Sequence, residues 1–187
     1  MRPRYARSVQ FEQALTPTVT LREARLEDAA SLAAAYRRNR SHLEPWDPAR
    51  PPSFYEVAGQ RQMLATRIAA AETGEGQPFH LVEEGEVVGG ISLNQLVRGP
   101  MQKASVGYWV DRERTGRGLA TAALTAVVDV AATRLRLHRL EASALPHNAA
   151  SRRMLLAAGF TELGSAPSYL RIAGTWQDHV LYHRVLD

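Results

Sequence analysis

Apolar and polar residues alternate over Val19–Arg25 (VTLREAR), which predicts a first strand. From Leu26 to Arg38 the spacing changes, and Leu32, Ala35 and Tyr36 recur as one helical face. A proline-rich run, LEPWDPARPP, stops that helix. Ser53-Phe54-Tyr55-Glu56 has capping-box spacing and predicts a second helix to about Ala71, closed by Gly74-Glu75-Gly76. Phe79–Glu83 and Val87–Gln95 flank Glu84-Gly85 and predict a hairpin. Ala104–Val110 reads as the next strand. Behind it Leu119, Ala123, Val127, Val130, Ala131 and Leu135 fall near one helical face, a core stripe. Leu140–Leu145 predicts a strand and Ala149–Ala158 a helix stopped by Gly159. Two antiparallel strands turning at Ala173-Gly174 end the chain. Strands and helices are mixed without a strict alternation or an internal repeat, which predicts an α/β fold.

One stretch of this pattern carries chemistry. VGYWVDRERTGRGLATAALTAVVDVAATRL (106–135) is a strand, a glycine-broken basic turn and a long apolar-striped helix. Gly116 and Gly118 let successive backbone N–H groups converge on one spot with no Cβ in the way. The helix from about Leu119 adds its unpaired N–H groups and the positive end of its dipole, and Arg114 and Arg117 add countercharge. That is what an acyl-CoA pyrophosphate needs. A basic loop touching RNA phosphates, or a plain connector, would also fit the turn alone. The second segment, PHNAASRRMLLAAGF (146–160), favours the cofactor: Asn148 and Ser151 start another short helix, at N-cap and N3 spacing. Two parallel strands feeding two such helices splay their N-termini around one groove.

With 187 residues and 45% hydrophobic content the chain predicts one domain able to bury its own core, 18–187, preceded by a partly ordered extension, 1–17. It has no cysteine, which excludes a disulfide framework, a thiolate metal site and a cysteine nucleophile. No run approaches the ~18 apolar residues of a membrane span, and the basic N-terminus lacks a secretory apolar region. The expected location is cytoplasmic. The net charge of +4 suits anionic partners, but the arginines are scattered with no aromatic-interleaved basic stripe, so direct nucleic-acid recognition is not expected. His179 and His183 have a metal-helix spacing, yet as strand residues they lie ~13 Å apart, and no metal is expected.

The chain resembles the GNAT acetyltransferases, and more narrowly their RimJ/RimL branch. The family's pyrophosphate signature, Gln/Arg-x-x-Gly-x-Gly/Ala, reads Glu113-Arg114-Thr115-Gly116-Arg117-Gly118 here, with an acidic first position. Further likeness lies in NRSHLEPWDPAR (39–50), QLVRG (95–99), HNAAS (147–151), AAGF (157–160) and YLRIAGTWQDHVLY (169–182). The resemblance implies a GNAT-like twisted sheet, mixed but mostly antiparallel, with a splayed parallel strand pair holding acetyl-CoA. It implies cofactor contacts from Trp109, Val110, Arg114, Thr115, Gly116, Arg117, Gly118, Leu119, Ala120, Asn148 and Ser151. Ser151, with Tyr108 as second candidate, would hydrogen-bond the leaving thiolate. Glu44, Trp46 and Asp47, in the loop bordering the acceptor entrance, and Asn94 would meet the acceptor. The implied acceptor is a protein N-terminal α-amine, a ribosomal protein first, with direct transfer in a ternary complex of a monomer or homodimer.

Many GNAT enzymes keep a glutamate on the strand before the cofactor strand. Here that stretch is Gly90-Ile91-Ser92-Leu93-Asn94, with no carboxylate. An α-amine, roughly a tenth neutral at pH 7, tolerates this better than a lysine, neutral at below ~0.1%. Glu141 is the nearest carboxylate in the second half of the motif region; its strand position could aim it at the groove, but it reads first as a surface residue of its strand. A small-molecule amine acetyltransferase, and a ribosome-associated acyl-CoA-binding protein without turnover, stay open as alternatives.

Overall fold

The computed structural model describes residues 10–186. Its strands are β1 (Glu12–Ala14), β2 (Val19–Glu23), β3 (Gln77–Glu83), β4 (Glu86–Val97), β5 (Lys103–Val110), β6 (Arg139–Ala144), β7 (Thr161–Ile172) and β8 (Thr175–Val185). Its helices are α1 (Ala29–Arg38), α2 (Arg40–Leu43), α3 (Val57–Thr73), α4 (Leu119–Thr133) and α5 (Ala149–Ala157). One sheet runs in the order β1-β2-β3-β4-β5-β6-β8-β7. Every neighbour pair is antiparallel except β5 and β6. This is the mixed, mostly antiparallel sheet that the resemblance implies.

The β5–β6 pairing ends early. Only Lys103, Ala104 and Ser105 pair with Arg139, Leu140 and Glu141, so Val106–Val110 diverges from β6. On its other side β5 stays paired with β4 up to Val110 opposite Gly89. The sheet is therefore open on one side of Tyr108 and Trp109 and continuous on the other.

Alternation along the strands sorts the core into two layers. Phe79, Leu81, Ile91, Leu93 and Val106 face α4, whose Leu119, Ala123, Leu124, Val127 and Val130 fill one cluster. Trp109 and Val87 face the other way, onto Leu32 and Tyr36 of α1 and Leu64 of α3. The α4 stripe has no polar alternative, and burying each such side chain contributes roughly 1.5–3 kcal/mol.

Local differences from the sequence expectation have local causes. Ser53–Glu56 does not cap α3: Pro52–Tyr55 is a 3₁₀ turn, and Glu56 is the N-cap with no side-chain bond. Pro51 and Pro52 set that turn, because their fixed φ suits the start of a short helix. Arg40–Leu43 carries one extra helical turn before the prolines. Residues 1–9 of the expected extension lie outside the described residues. Glu12–Ala14 pairs with Thr20–Arg22, and Phe11 packs edge-on against Phe79 at 5.6 Å.

A buried ion pair fixes the start of the glycine turn. Asp111, 1% exposed, accepts from Arg38 Nε at 2.6 Å and from the Glu113 N–H at 3.1 Å. Arg38 also donates to the Val87 carbonyl, and Asn39 Oδ1 accepts from the Arg112 N–H at 2.8 Å. Burial alone would raise the Asp111 carboxyl, but its hydrogen bonds from Arg38, Asn39 and Glu113 hold it below its ordinary value. Asp28 behaves alike: burial is outweighed by bonds from His80, Arg22 and the Arg25 N–H, and its carboxyl is lowered. Both groups have folded values below the unfolded ~3.9, so their stabilisation is complete above about pH 4 and is lost as pH falls below it. Asp111→Ala is expected to cost about 2–3 kcal/mol in urea unfolding at pH 7, since it strands a partly buried Arg38. That difference should shrink toward pH 3. A loss below about 0.5 kcal/mol would show the pair to be peripheral.

Candidate active site

Two cavities meet at the divergence of β5 from β6. The larger, a groove of about 450 Å³, is bounded by Val110, Arg114–Gly116, Gly118–Thr121, Asn148 and Ser151. The smaller, about 160 Å³, lies on the α1/α3 side and is lined by Arg67, His80, Ser92 and Asn94 among others. Asp47, Tyr108 and Trp109 line both. Any group that passes from one cavity to the other crosses that wall.

The groove has the shape that the glycine turn predicts. Gly116 and Gly118 have φ of +75° and +74°, and a Cβ built on either meets nothing within 4 Å. A side chain there would project into open space rather than into the protein. Gly118 is the N-cap of α4, so the free N–H groups of the first turn face the same side. An anion such as pyrophosphate fits this cradle.

The two arginines differ. Arg114 is tied to Glu83 at 3.0 Å and to Glu113 at 3.1 Å, with Asp111 3.9 Å away. Those carboxylates offset much of its charge. Arg117 is exposed, and among the described residues it has no ion-pair partner. The cradle therefore depends on backbone N–H groups more than on arginine charge.

Asn148 caps α5, its Oδ1 accepting from the Ser151 N–H at 3.0 Å. Ser151 then points across the groove to Tyr108, and the two hydroxyls are 2.7 Å apart. Burial pushes the Tyr108 phenol up to about 12, against the opposing effect of the Ser151 hydrogen bond. The pair is thus a protonated hydroxyl relay at neutral pH, able to donate one hydrogen bond onward.

The expected acceptor residues separate. Asn94 lines the smaller cavity and donates to Ser92 Oγ at 3.0 Å. Asp47 stands at the shared wall, 3.2 Å from Arg50, with its carbonyl held by the Ala173 N–H at the β7–β8 turn. Trp46 instead borders the larger groove and stacks on His147 at 5.4 Å. Glu44 faces a third, small hollow with Arg40 and Tyr55. Glu141 lies in neither cavity; Lys103 at 2.7 Å and Arg139 at 2.9 Å hold its carboxyl low, outweighing its burial. It is not placed to act as a base.

The structure also explains the glycine at position 90 of β4. Trp109 is opposite Gly90, and a Cβ on Gly90 would meet the indole Nε1 at 2.9 Å. The indole itself is stacked on Tyr36 at 4.8 Å. Three ionisable lining residues of the smaller cavity are given no role by the sequence: Arg50, Arg67 and His80.

Residues 18–161 match the Acetyltransferase (GNAT) domain family. The chain belongs to the GNAT acetyltransferases. Probable N-acetyltransferase YjcK of Bacillus subtilis (strain 168) is 34% identical over 164 residues, covering 87% of this chain and 91% of that protein. The [ribosomal protein uS5]-alanine N-acetyltransferase of Escherichia coli (strain K12) is 32% identical over 179 residues, covering 95% and 92%. Mycobacterium smegmatis RimJ, solved in complex with CoA-disulfide, superposes with a TM-score of 0.85 at 36% identity, covering 89% of this chain and 81% of that one. Among the described residues of this GNAT chain, no helix is long and apolar enough to cross a membrane. No group of three or more metal-ligating side chains is gathered there either.

Proposed function

We propose that this GNAT acetyltransferase transfers the acetyl group of acetyl-CoA to the N-terminal α-amine of a protein, a ribosomal protein being the first candidate. The observation that carries the proposal is the shared wall of Asp47, Tyr108 and Trp109 between a phosphate cradle and a small polar cavity. The similarity to a uS5-alanine acetyltransferase and to a CoA-bound RimJ supports the choice of substrates.

In this scheme the backbone N–H groups from Gly116 to Ala120 bind the pyrophosphate, with Thr115, Arg114 and Arg117 at the rim. The unpaired edge of β5 at Trp109 and Val110 offers N–H and C=O groups to the pantetheine amides and orients the thioester carbonyl. Asn148 fixes the first turn of α5. The Tyr108–Ser151 pair donates a hydrogen bond to the sulfur as negative charge develops on it. Asp47 attracts the acceptor ammonium, and Asn94 and Ser92 bond to its first residue. The smaller cavity is about 160 Å³, room for a short side chain such as that of alanine or serine.

The test is thiol release from acetyl-CoA with three acceptor classes. Peptides that start with Ala or Ser should react. The same peptides with a blocked N-terminus and an internal lysine should be at least ~10²-fold slower, following the gap in neutral amine fraction. Equal rates on both would overturn the α-amine choice. Reaction with free small amines alone would favour a small-molecule enzyme, and thiol release with none would favour a binding protein.

A further inference from the structure

The smaller cavity contains a titratable group that the transfer scheme above does not use. His80, on β3, sits in one row with Gly90 of β4 and Trp109 of β5, on the face that lines the acceptor cavity. Its Nδ1 is 2.7 Å from Asp28 Oδ2. Asp28 is 7% exposed and also accepts two bonds from Arg22, at 2.6 and 3.0 Å, and one from the Arg25 N–H at 2.9 Å. So many donors keep Asp28 ionised, and a carboxylate can only accept. His80 Nδ1 must therefore carry the proton, which leaves the Nε2 lone pair free. Among the described residues Asp28 is the only hydrogen-bond partner of this ring.

We propose that His80, oriented by Asp28, is the proton acceptor for the acceptor amine, the role that the carboxylate-free strand Gly90–Asn94 leaves open. The proposal rests on the acetyltransferase reading of this cavity. Neighbouring strands are ~4.8 Å apart, so His80 and Trp109 have backbones ~10 Å apart, with the indole lying over Gly90 between them. One or two waters in the cavity would carry the proton across the rest of the span. The cavity is large enough for them and is lined by Ser92 and Asn94.

The proton balance is simple. One ammonium proton passes through water to His80 Nε2, and the neutral nitrogen forms a bond to the thioester carbon. The C–S bond then breaks, and the second nitrogen proton leaves with the sulfur through the Tyr108–Ser151 hydroxyls. His80 returns its proton to solvent, so one proton is released per turnover. Asp28 is a positioning residue in this scheme.

Charged groups around His80 act in both directions. Burial holds the imidazole below its ordinary value, against the raising effect of the Asp28 bond, while Arg22 and Arg67 lower it further. Asp47 and Arg50 face the same cavity as a pair. Leu32 of α1 and Gly90, Ser92 and Trp109 of β4 and β5 do not titrate in this range. Held below its ordinary value, the imidazole still lies nearer to an α-amine than to a lysine. Such a base suits the first acceptor and not the second.

His80→Asn is the test, because the asparagine amide can still donate to Asp28 while the Nε2 position is lost. With an Ala-starting peptide, kcat should fall ~10²-fold at pH 7. The deficit should shrink to within about threefold at pH 9.5, where the amine is already neutral. Acetyl-CoA affinity should be unchanged. An equal deficit at both pH values, or none at pH 7, would overturn the proposal. If His80→Asn does not fold, His80→Gln is measured against the same two pH values. Were the wild type to acetylate no amine, the functional reading would fail first. Nitrogen NMR would then decide the dyad by itself: a neutral Nδ1–H ring with a solvent-facing Nε2 supports it, and the opposite tautomer refutes it.

Discussion

Gly118→Val should weaken acetyl-CoA binding on the order of 10³-fold, through loss of two or more charge-assisted hydrogen bonds at ~1.5–3 kcal/mol each. The residue sits at φ +74° with open space where its Cβ would be, on the wall of the larger groove. A branched side chain would fill that space and lift the pyrophosphate off the N–H groups of the first α4 turn. The fold should survive, because no protein atom lies within 4 Å of the new Cβ. The left-handed backbone would cost about 1–2 kcal/mol against a total of ~5–15. Gly116→Val should behave alike. Calorimetry with a folded variant checks this, and an affinity within about threefold of the parent would refute the cradle.

The second large effect belongs to the hydroxyl pair. The 2.7 Å contact between Tyr108 and Ser151 allows only one of them to donate to the sulfur, the other supporting it from behind. Removing the terminal donor should reduce kcat ~10²-fold, and removing the supporting one only severalfold. Ser151 is the expected terminal donor, so Ser151→Ala should exceed Tyr108→Phe in effect. The double variant should be little worse than the worse single one, since the two act as a unit. Acetyl-CoA affinity should change less than kcat in every case. Single-turnover rates for the three variants decide the order. If kcat in all three stays within about twofold of the parent, the pair is structural.

Much of this was legible because the relevant signals are local. The core stripe of α4, the turn at Gly116 and Gly118 and the Asn148 cap each lie within one short segment; the stripe fills the core, and the turn, the first residues of α4 and the cap line one groove. Hairpin turns at Glu84-Gly85 and Ala173-Gly174 were equally local, and all four residues take positive φ. What escaped was non-local. Strand alternation puts His80 on the face opposite Phe79 and Leu81, but nothing in β3 says which face holds the acceptor cavity. Asp28 reaches His80 across 52 positions of sequence, a pairing only the register of β2, β3 and the first helical turn creates. Trp46 and Asp47 are adjacent in sequence and both border the larger groove, yet only Asp47 also reaches the smaller cavity. The pairing of Arg114 with Glu83 is non-local in the same way, because Glu83 comes from a distant strand.

A crystal structure with CoA and an Ala-starting peptide would test the central claim most directly. That claim is that the acetyl group crosses at the wall shared by the two cavities. The prediction is a pyrophosphate on the N–H groups of Gly116–Ala120, a sulfur within hydrogen-bond distance of Tyr108 or Ser151, and a peptide α-nitrogen beside Asp47 and Trp109. A peptide bound outside the cavity of Ser92, Asn94 and His80, or a sulfur far from both hydroxyls, would contradict it.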